Sequence, residues 1–338
     1  MVAMRNESAH HIRGDMSTQL HRESAAAARI GIAVLLLATA LPAHAREGAY
    51  DWRLARELYP GIAFAREERV MENAKGLECP HYRGFSPEKP RRLRLCVLRV
   101  DLGMTNLQLI ATGRAAGWGD PMPDVTGGES SEYVIRTRRE TTADFIRGAR
   151  HASREMLVAV NAQPWSPFDS GVDHPYADRL GLTVSGGRLV SPANGNPSFI
   201  RYHDGRPAMA ATGEATDLAG IDLALTGFGF CLVDGEPIAP DRTLHPRTGY
   251  GLSADNLFLV LLVIDGRQDA SQGATVHEVG TLLLYFGAHT GINMDGGGST
   301  TMAWWNPGKE EVEVLNSPSR GERKVGSNLG IFRVPTAD

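Results

Sequence analysis

Four segments of the chain set polar, chemistry-bearing residues directly against apolar runs. The densest is Asn293-Met294-Asp295-Gly296-Gly297-Gly298-Ser299-Thr300-Thr301. Consecutive glycines cost conformational entropy on folding, so a run of three is expected where backbone approaches a ligand or takes positive φ. A Gly-rich turn also aims N–H groups at an anion. Asp295 beside it can act as acid, base, nucleophile or metal ligand, although a tight turn with a capping Asp would read the same way. The second segment is Asn161, closing Leu157-Val158-Ala159-Val160 and followed by Ala162-Gln163-Pro164-Trp165-Ser166-Pro167-Phe168. The third is His245-Pro246-Arg247-Thr248, and the fourth is Asp265-Gly266-Arg267 at the end of Leu257–Ile264.

Arg247 and Arg267 stand at the ends of apolar strands, where paired guanidinium donors suit a phosphate or carboxylate. Each can equally pair with a nearby Asp. Glu278 reads as a helix-capping acid or a site residue, and His245, before a proline, as a loop residue. Trp165, Trp304 and Trp305 can floor a sugar site or fill a core. Other catalytic signatures are lacking: there is no G-x-G-x-x-G and no P-loop. Gly251-Leu252-Ser253-Ala254-Asp255 lacks the second glycine of a nucleophile elbow, His277-Glu278 lacks a second metal-binding His, and Ser86-Pro87-Glu88-Lys89 stands in a Pro-rich loop.

These residues need a sheet to position them. Leu93–Val100 and Leu107–Thr112 read as strands, and Thr141 opens a capped helix to about Arg154. Met156–Asn161 is a buried-type strand. Residues 180–264 read as strand after strand, separated by turns at 186–187, 204–205 and 234–235. Leu257–Ile264, the most hydrophobic of them, must lie centrally in a sheet. Thr275 caps a second helix to about Phe286, and Gly291–Met294 runs straight into the glycine turn. Asp51–Tyr59 and Ala65–Asn73 read as short helices around Pro60-Gly61, and 113–132 as a surface loop. The expected fold is α/β of the α+β type: one domain over 93–334 with a large mixed sheet flanked by a few helices, preceded by a small helical extension over 46–92.

The chain has 338 residues, 42% apolar and 22% charged, with a net charge of −4, which suits a globular protein rather than a disordered one. No Lys/Arg block occurs, so a nucleic-acid partner is not expected. Ile30–Leu41 is apolar but shorter than the roughly 20 residues a membrane span needs. With Arg22 and Arg29 before it and Ala43-His44-Ala45 after it, residues 1–45 read as a signal peptide cleaved after Ala45. Export to the periplasm or outside the cell follows, with no integral span in the mature chain; an uncleaved anchor is the other reading. Only Cys79, Cys96 and Cys231 are present, so Cys79 and Cys96 can pair with Cys231 left buried. Neither a structural zinc site nor any other metal or cofactor is expected.

Taken together, Asn161, Pro246-Arg247-Thr248, Val263-Ile264-Asp265-Gly266-Arg267, Asn293–Thr300 and Asn316-Ser317-Pro318-Ser319 with Gly321-Glu322-Arg323 resemble the phosphodiester glycosidase family, over roughly residues 93–334. Asn161-Ala162-Gln163-Pro164-Trp165 departs from the family's Asn-Gly-x-Phe-Phe pattern. The resemblance implies hydrolysis of the glycosidic C1–O bond of a sugar-1-phosphodiester or phosphate-containing glycan, giving free sugar and a phosphomonoester. It makes Asp295 the carboxylate that acts on the anomeric carbon or on water, with Asp265 or Glu278 as partner. Arg247, Arg267 and the N–H groups of Gly296, Gly297 and Gly298 would hold the leaving phosphate. Asn161 and Asn293 would orient sugar hydroxyls, Ser299 and Thr300 would donate to the phosphate, and Thr248 would bind substrate with them. The competing readings are a metal-assisted phosphodiesterase and a non-catalytic module that binds anionic glycans.

Overall fold

The computed structural model describes residues 49–123, 133–167 and 175–335; the leader and part of the 113–132 loop lie outside them, as does Phe168. Two antiparallel sheets face each other. The first has eight strands, in the order Arg56–Tyr59, Ile62–Met71, Arg91–Asp101, Phe258–Ile264, Arg247–Leu252, Thr290–Asn293, Gly229–Val233 and Glu236–Pro237. The second has five, in the order Glu311–Val314, Met302–Asn306, Glu155–Asn161, Asn328–Arg333 and Leu107–Ala111. Their inner faces make one core: Leu98, Tyr250, Leu261 and Ile292 from the first meet Leu109, Val158, Val160 and Ile331 from the second. Helix α1 (Thr142–His151) covers the outer face of the second sheet through Ile146, against Met156, Ala159 and Ala303. Helix α2 (Val276–Tyr285) covers the first through Val279, Leu282 and Leu283, against Leu95, Val260 and Leu262. The layers therefore run helix, sheet, sheet, helix. A third, five-stranded sheet (Arg188–Ser191, Thr183–Ser185, Ile221–Thr226, Pro197–Tyr202 and Pro207–Ala211) adds Phe199, Leu223 and Leu225 to the central core.

The fold is mostly β rather than evenly mixed, and the expected mixed sheet is replaced by antiparallel ones: among the described residues, every pairing between strands is antiparallel. Each helix lies next to a strand in sequence, which suggests a parallel crossover. The strand leaving α1, Glu155–Asn161, instead settles between two strands that oppose it. The helical extension is also corrected. Only Trp52–Leu54 is a short 3₁₀ turn, and Arg56–Tyr59 with Ile62–Met71 forms a hairpin closed by Gly61 at φ +80°. The charges of Arg66-Glu67-Glu68-Arg69 imitate helical spacing, yet they serve a strand, where Glu68 stands directly across from Arg94 and bonds it at 2.8 Å.

Other expectations agree with the structure. Phe258–Ile264 is central in the eight-stranded sheet. Thr141 and Thr275 cap their helices, the latter in a reciprocal box with Glu278. The turns at 186–187, 204–205 and 234–235 close hairpins. All three cysteines are buried and free, so Cys79 and Cys96 do not pair; their thiols lie against the carbonyls of Gln272 at 3.5 Å and Leu315 at 3.2 Å. No helix of the described residues is long and apolar enough to cross a membrane.

Helix α2 sits close to its sheet because Gly280 has no side chain. A Cβ there would fall 2.0 Å from the Cys231 carbonyl oxygen. Backbone cannot yield as a side chain can, so Gly280→Ala should lift α2 and cost about 3 kcal/mol. Urea denaturation should show it as a lower midpoint with an unchanged slope.

Candidate active site

The chemistry-bearing segments meet where strand ends of the two facing sheets converge. Asn161 ends its strand in the second sheet and reaches across the core. Its Nδ2 donates to the Asp295 carbonyl at 2.6 Å, and its Oδ1 accepts from Thr248 Oγ1 at 2.8 Å and Thr301 N at 3.0 Å. The Tyr250 hydroxyl donates to the Asn161 carbonyl at 3.0 Å. Asn161 and Thr248 are wholly buried. Both side chains are thus committed to bracing the glycine turn between sheets, not presented to a sugar or phosphate.

The turn is shaped by three constraints. The Asp295 N–H bonds the Ala162 carbonyl at 2.9 Å, and the Gly297 N–H bonds that of Pro246 at 2.8 Å. A Cβ on Gly296 would stand 2.7 Å from the Pro246 oxygen, and Gly297 has φ +62°. The third constraint is a pair of guanidiniums lying over the glycines. A Cβ on Gly297 would meet Arg267 Nη2 at 3.2 Å, and one on Gly298 would meet Arg323 Nη1 at 3.3 Å. Glycine leaves room for two cations to approach the backbone of one turn, and a side chain at either position would push a guanidinium back by a few tenths of an ångström.

Asp295 begins this turn, within reach of Ser299, Trp165 and the Arg323 charge. Burial raises its carboxyl to about 6, although hydrogen bonding to Ser299, the Arg323 charge, the Gly296 N–H and the Trp165 indole all pull the other way. Arg323 Nη2 donates to Ser299 Oγ at 2.5 Å, which leaves the hydroxyl proton free to point at Asp295. Arg323 also lies 5.6 Å from the centre of the Trp165 ring, and Arg139 lies over the same ring at 4.4 Å. Neither Arg267 nor Arg323 has an ion pair with a described carboxylate. Burial and the Arg323 charge both lower the Arg267 pKa.

Unmet hydrogen-bonding capacity gathers here. Arg267 Nε, Asn293 Oδ1, Asp295 Oδ2, Thr300 Oγ1, Thr301 Oγ1 and Arg323 Nε are buried without a partner, six of eleven such atoms among the described residues. Each costs about 1–3 kcal/mol if left dry and unpaired. Their concentration in one turn and its two arginines is the mark of a surface built to be completed by a polar ligand.

Several expected roles change. Arg247 is bound to Asp241 at 2.6 Å, the Thr243 carbonyl at 2.8 Å and the Ala274 carbonyl at 2.9 Å. It anchors the chain before its strand, and Arg323 stands in the place expected for it. Glu278 receives the Thr275 N–H at 2.9 Å and pairs with buried Arg91, so both its oxygens are engaged. Asp265 faces a separate pocket of about 260 Å³ with Arg66, Arg94 and Asn316. Its carboxyl, raised by burial, accepts from Asn316 Nδ2 at 2.9 Å and Ser317 N at 3.0 Å. Asn316 also donates to the Thr300 carbonyl at 3.1 Å, so Asp265 steadies the glycine turn from behind. Trp304 bonds Glu313 at 3.0 Å and Trp305 lies under Arg150 at 3.9 Å; of the three tryptophans, Trp165 alone bears on Asp295. No group of three or more His, Cys, Asp or Glu among the described residues is placed to hold a metal ion.

An antiparallel two-sheet sandwich carrying a raised Asp295 carboxyl at the start of a glycine turn that two guanidiniums overlie defines a class of protein suited to an anionic ligand. A family profile described as phosphodiester glycosidase matches residues 154–332, and the chain belongs to that family. It is 26% identical over 219 residues to the SPbeta prophage-derived uncharacterized protein YomE of Bacillus subtilis, a match covering 60% of this chain but 31% of that one. Among solved structures it resembles the catalytic domain of zebrafish N-acetylglucosamine-1-phosphodiester alpha-N-acetylglucosaminidase, auto-inhibited by its pro-peptide. That likeness has a TM-score of 0.58 and 18% identity, over 82% of this chain and 85% of the other. A hypothetical protein from Synechocystis is similar at TM-score 0.50 and 11% identity, over 81% of this chain and 62% of that one. These likenesses show the fold.

Proposed function

We propose that the protein is an exported glycosidase that hydrolyses the C1–O bond of sugar-1-phosphodiesters, releasing free sugar and a phosphomonoester. The observation that carries this reading is the pair Arg267 and Arg323 over Gly297 and Gly298, beside a raised carboxyl whose Oδ2 is unpartnered. Family membership and the likeness to the zebrafish enzyme's catalytic domain support it.

Cleaving a bond from an anomeric carbon to phosphate passes through an oxocarbenium-like state. The leaving phosphomonoester is a weak base, so departure needs its charge held more than it needs a proton. Fixed guanidiniums in a partly desolvated turn supply that stabilisation without reorganising. The C–O electron pair leaves with the phosphate, and the oxygen of water ends on C1. Ionised Asp295 either takes the proton from that water or first bonds C1 itself and is then released by water. The engagement of Asp265 and Glu278 elsewhere fits a reaction with one working carboxylate.

Hydrolysis of a panel of sugar-1-phosphodiesters in ¹⁸O-water tests the proposal. Label is expected in the sugar, with activity unchanged by EDTA. Label in the phosphate, or activity abolished by chelation, would move the reaction to P–O cleavage at a metal.

A further inference from the structure

We propose that His245 is a positioning residue that aims the Arg267 guanidinium at the glycine turn, so that Arg267 alone does not set the phosphate-binding geometry. This rests on the reading of Arg267 as a phosphate-holding group.

His245 Nδ1 lies 3.1 Å from Arg267 Nη2. An arginine has only donors, so this bond exists only while Nδ1 is an unprotonated acceptor. The surroundings keep it so. Burial, Arg247, Arg267 and His81, whose ring lies 5.6 Å away, lower the His245 pKa to about 4, with Asp241 as the one opposing charge. Across the neutral range the imidazole accepts, and its other nitrogen carries the proton.

The backbone around His245 is fixed on both sides. Its N–H and carbonyl both bond Ala274, at 3.2 and 3.0 Å, and the next carbonyl, of Pro246, receives Gly297 N–H. The segment threads a slot lined by glycines. A Cβ on Gly273 would come within 2.5 Å of the His245 carbonyl oxygen, and one on Gly266 within 2.7 Å of Pro246 N. Gly296 closes the slot from the turn side. His245-Pro246 therefore touches both the Asp265–Gly273 loop, which carries Arg267, and the turn over which Arg267 must lie. Arg267 itself holds φ +60°, a conformation unfavourable outside glycine. Its Nε is unpartnered, so among the described residues the imidazole is the side chain hydrogen-bonded to its fork and fixes where it points.

Calorimetric titration of the full chain with inorganic phosphate at pH 7 tests this, using His245→Ala, His245→Asn, Arg267→Ala and the His245→Ala/Arg267→Ala pair. His245→Ala should weaken phosphate about tenfold, the scale of one hydrogen bond to a charged group. His245→Asn, whose amide oxygen falls near Nδ1, should recover to within about threefold. In the Arg267→Ala background, His245→Ala should add nothing. If His245→Ala fails to melt cooperatively, His245→Leu, equal in bulk but without an acceptor, takes its place against His245→Asn. Additive losses in the double variant, or no recovery with Asn in a folded protein, would overturn the positioning role and leave the clamp standing. Unchanged phosphate affinity in Arg267→Ala would instead remove the clamp, and the proposal with it.

Discussion

Asp295→Asn should abolish turnover, lowering kcat by at least about 10³-fold, while making the protein more stable at pH 7. Both effects come from the same buried carboxyl. In the folded chain it titrates near 6, against an ordinary value of 3.8. The folded state therefore binds more protons than the unfolded one between those values. Stability is lost as pH rises through that window, by an amount on the order of 2–3 kcal/mol above it. An amide carries no such cost. The variant should melt higher than wild type at pH 7, with the difference closing towards pH 4. In wild type, kcat/KM should rise with pH through about 6 as the carboxylate appears. Glu140, half-buried and raised by desolvation to about 7, adds a similar slope to both proteins and cancels in their difference. A stability gap independent of pH would contradict the raised carboxyl, and wild-type turnover in Asp295→Asn would remove its catalytic role.

The second large effect belongs to Arg323. Arg323→Ala should reduce kcat/KM by about 10²–10³-fold, the range seen when one fixed donor to a developing anion is removed. It should also shift the pH profile. The Arg323 charge lowers the Asp295 pKa, and its bond to Ser299 orients a hydroxyl that lowers it too. Without Arg323 the midpoint of the rate profile should move above 6. Arg323→Lys should restore the midpoint better than the rate, because a lysine supplies the charge but not the planar fork. A lower rate with an unmoved midpoint would separate Arg323 from Asp295.

How far the site was legible follows from the kind of signal each part leaves. The glycine turn and Asp295 are contiguous and follow a buried strand, so composition alone marks them. Asp265-Gly266-Arg267 is marked in the same way, although Arg267 and Asp265 prove to face different surroundings. Arg323 leaves no local trace: residues 315–327 are mostly irregular, and only the resemblance flagged Gly321-Glu322-Arg323. Arg247 misleads because a strand-end arginine looks the same whether it awaits a ligand or is held by Asp241, six residues back and off its strand. Asn161 misleads in the opposite sense. Its place after an apolar strand suggests a ligand-facing amide, and the facing sheet, which the sequence does not display, supplies partners for that amide. The fold shows the same limit. Strands, caps and hairpin turns are local and could be read, whereas strand direction depends on neighbours far along the chain.

The bridge from Asn161 to Thr248 and Tyr250 has a consequence for how the molecule comes to be active. Asn161 lies in one sheet, Thr248 in the other, and the turn bearing Asp295 hangs between them. These contacts join positions 87 and 134 residues apart, among the slowest kind to form in a folding chain. An intermediate with either sheet formed alone contains the glycines and arginines but no assembled turn. Competence should thus emerge in one step at sheet docking, with no partly active precursor before it.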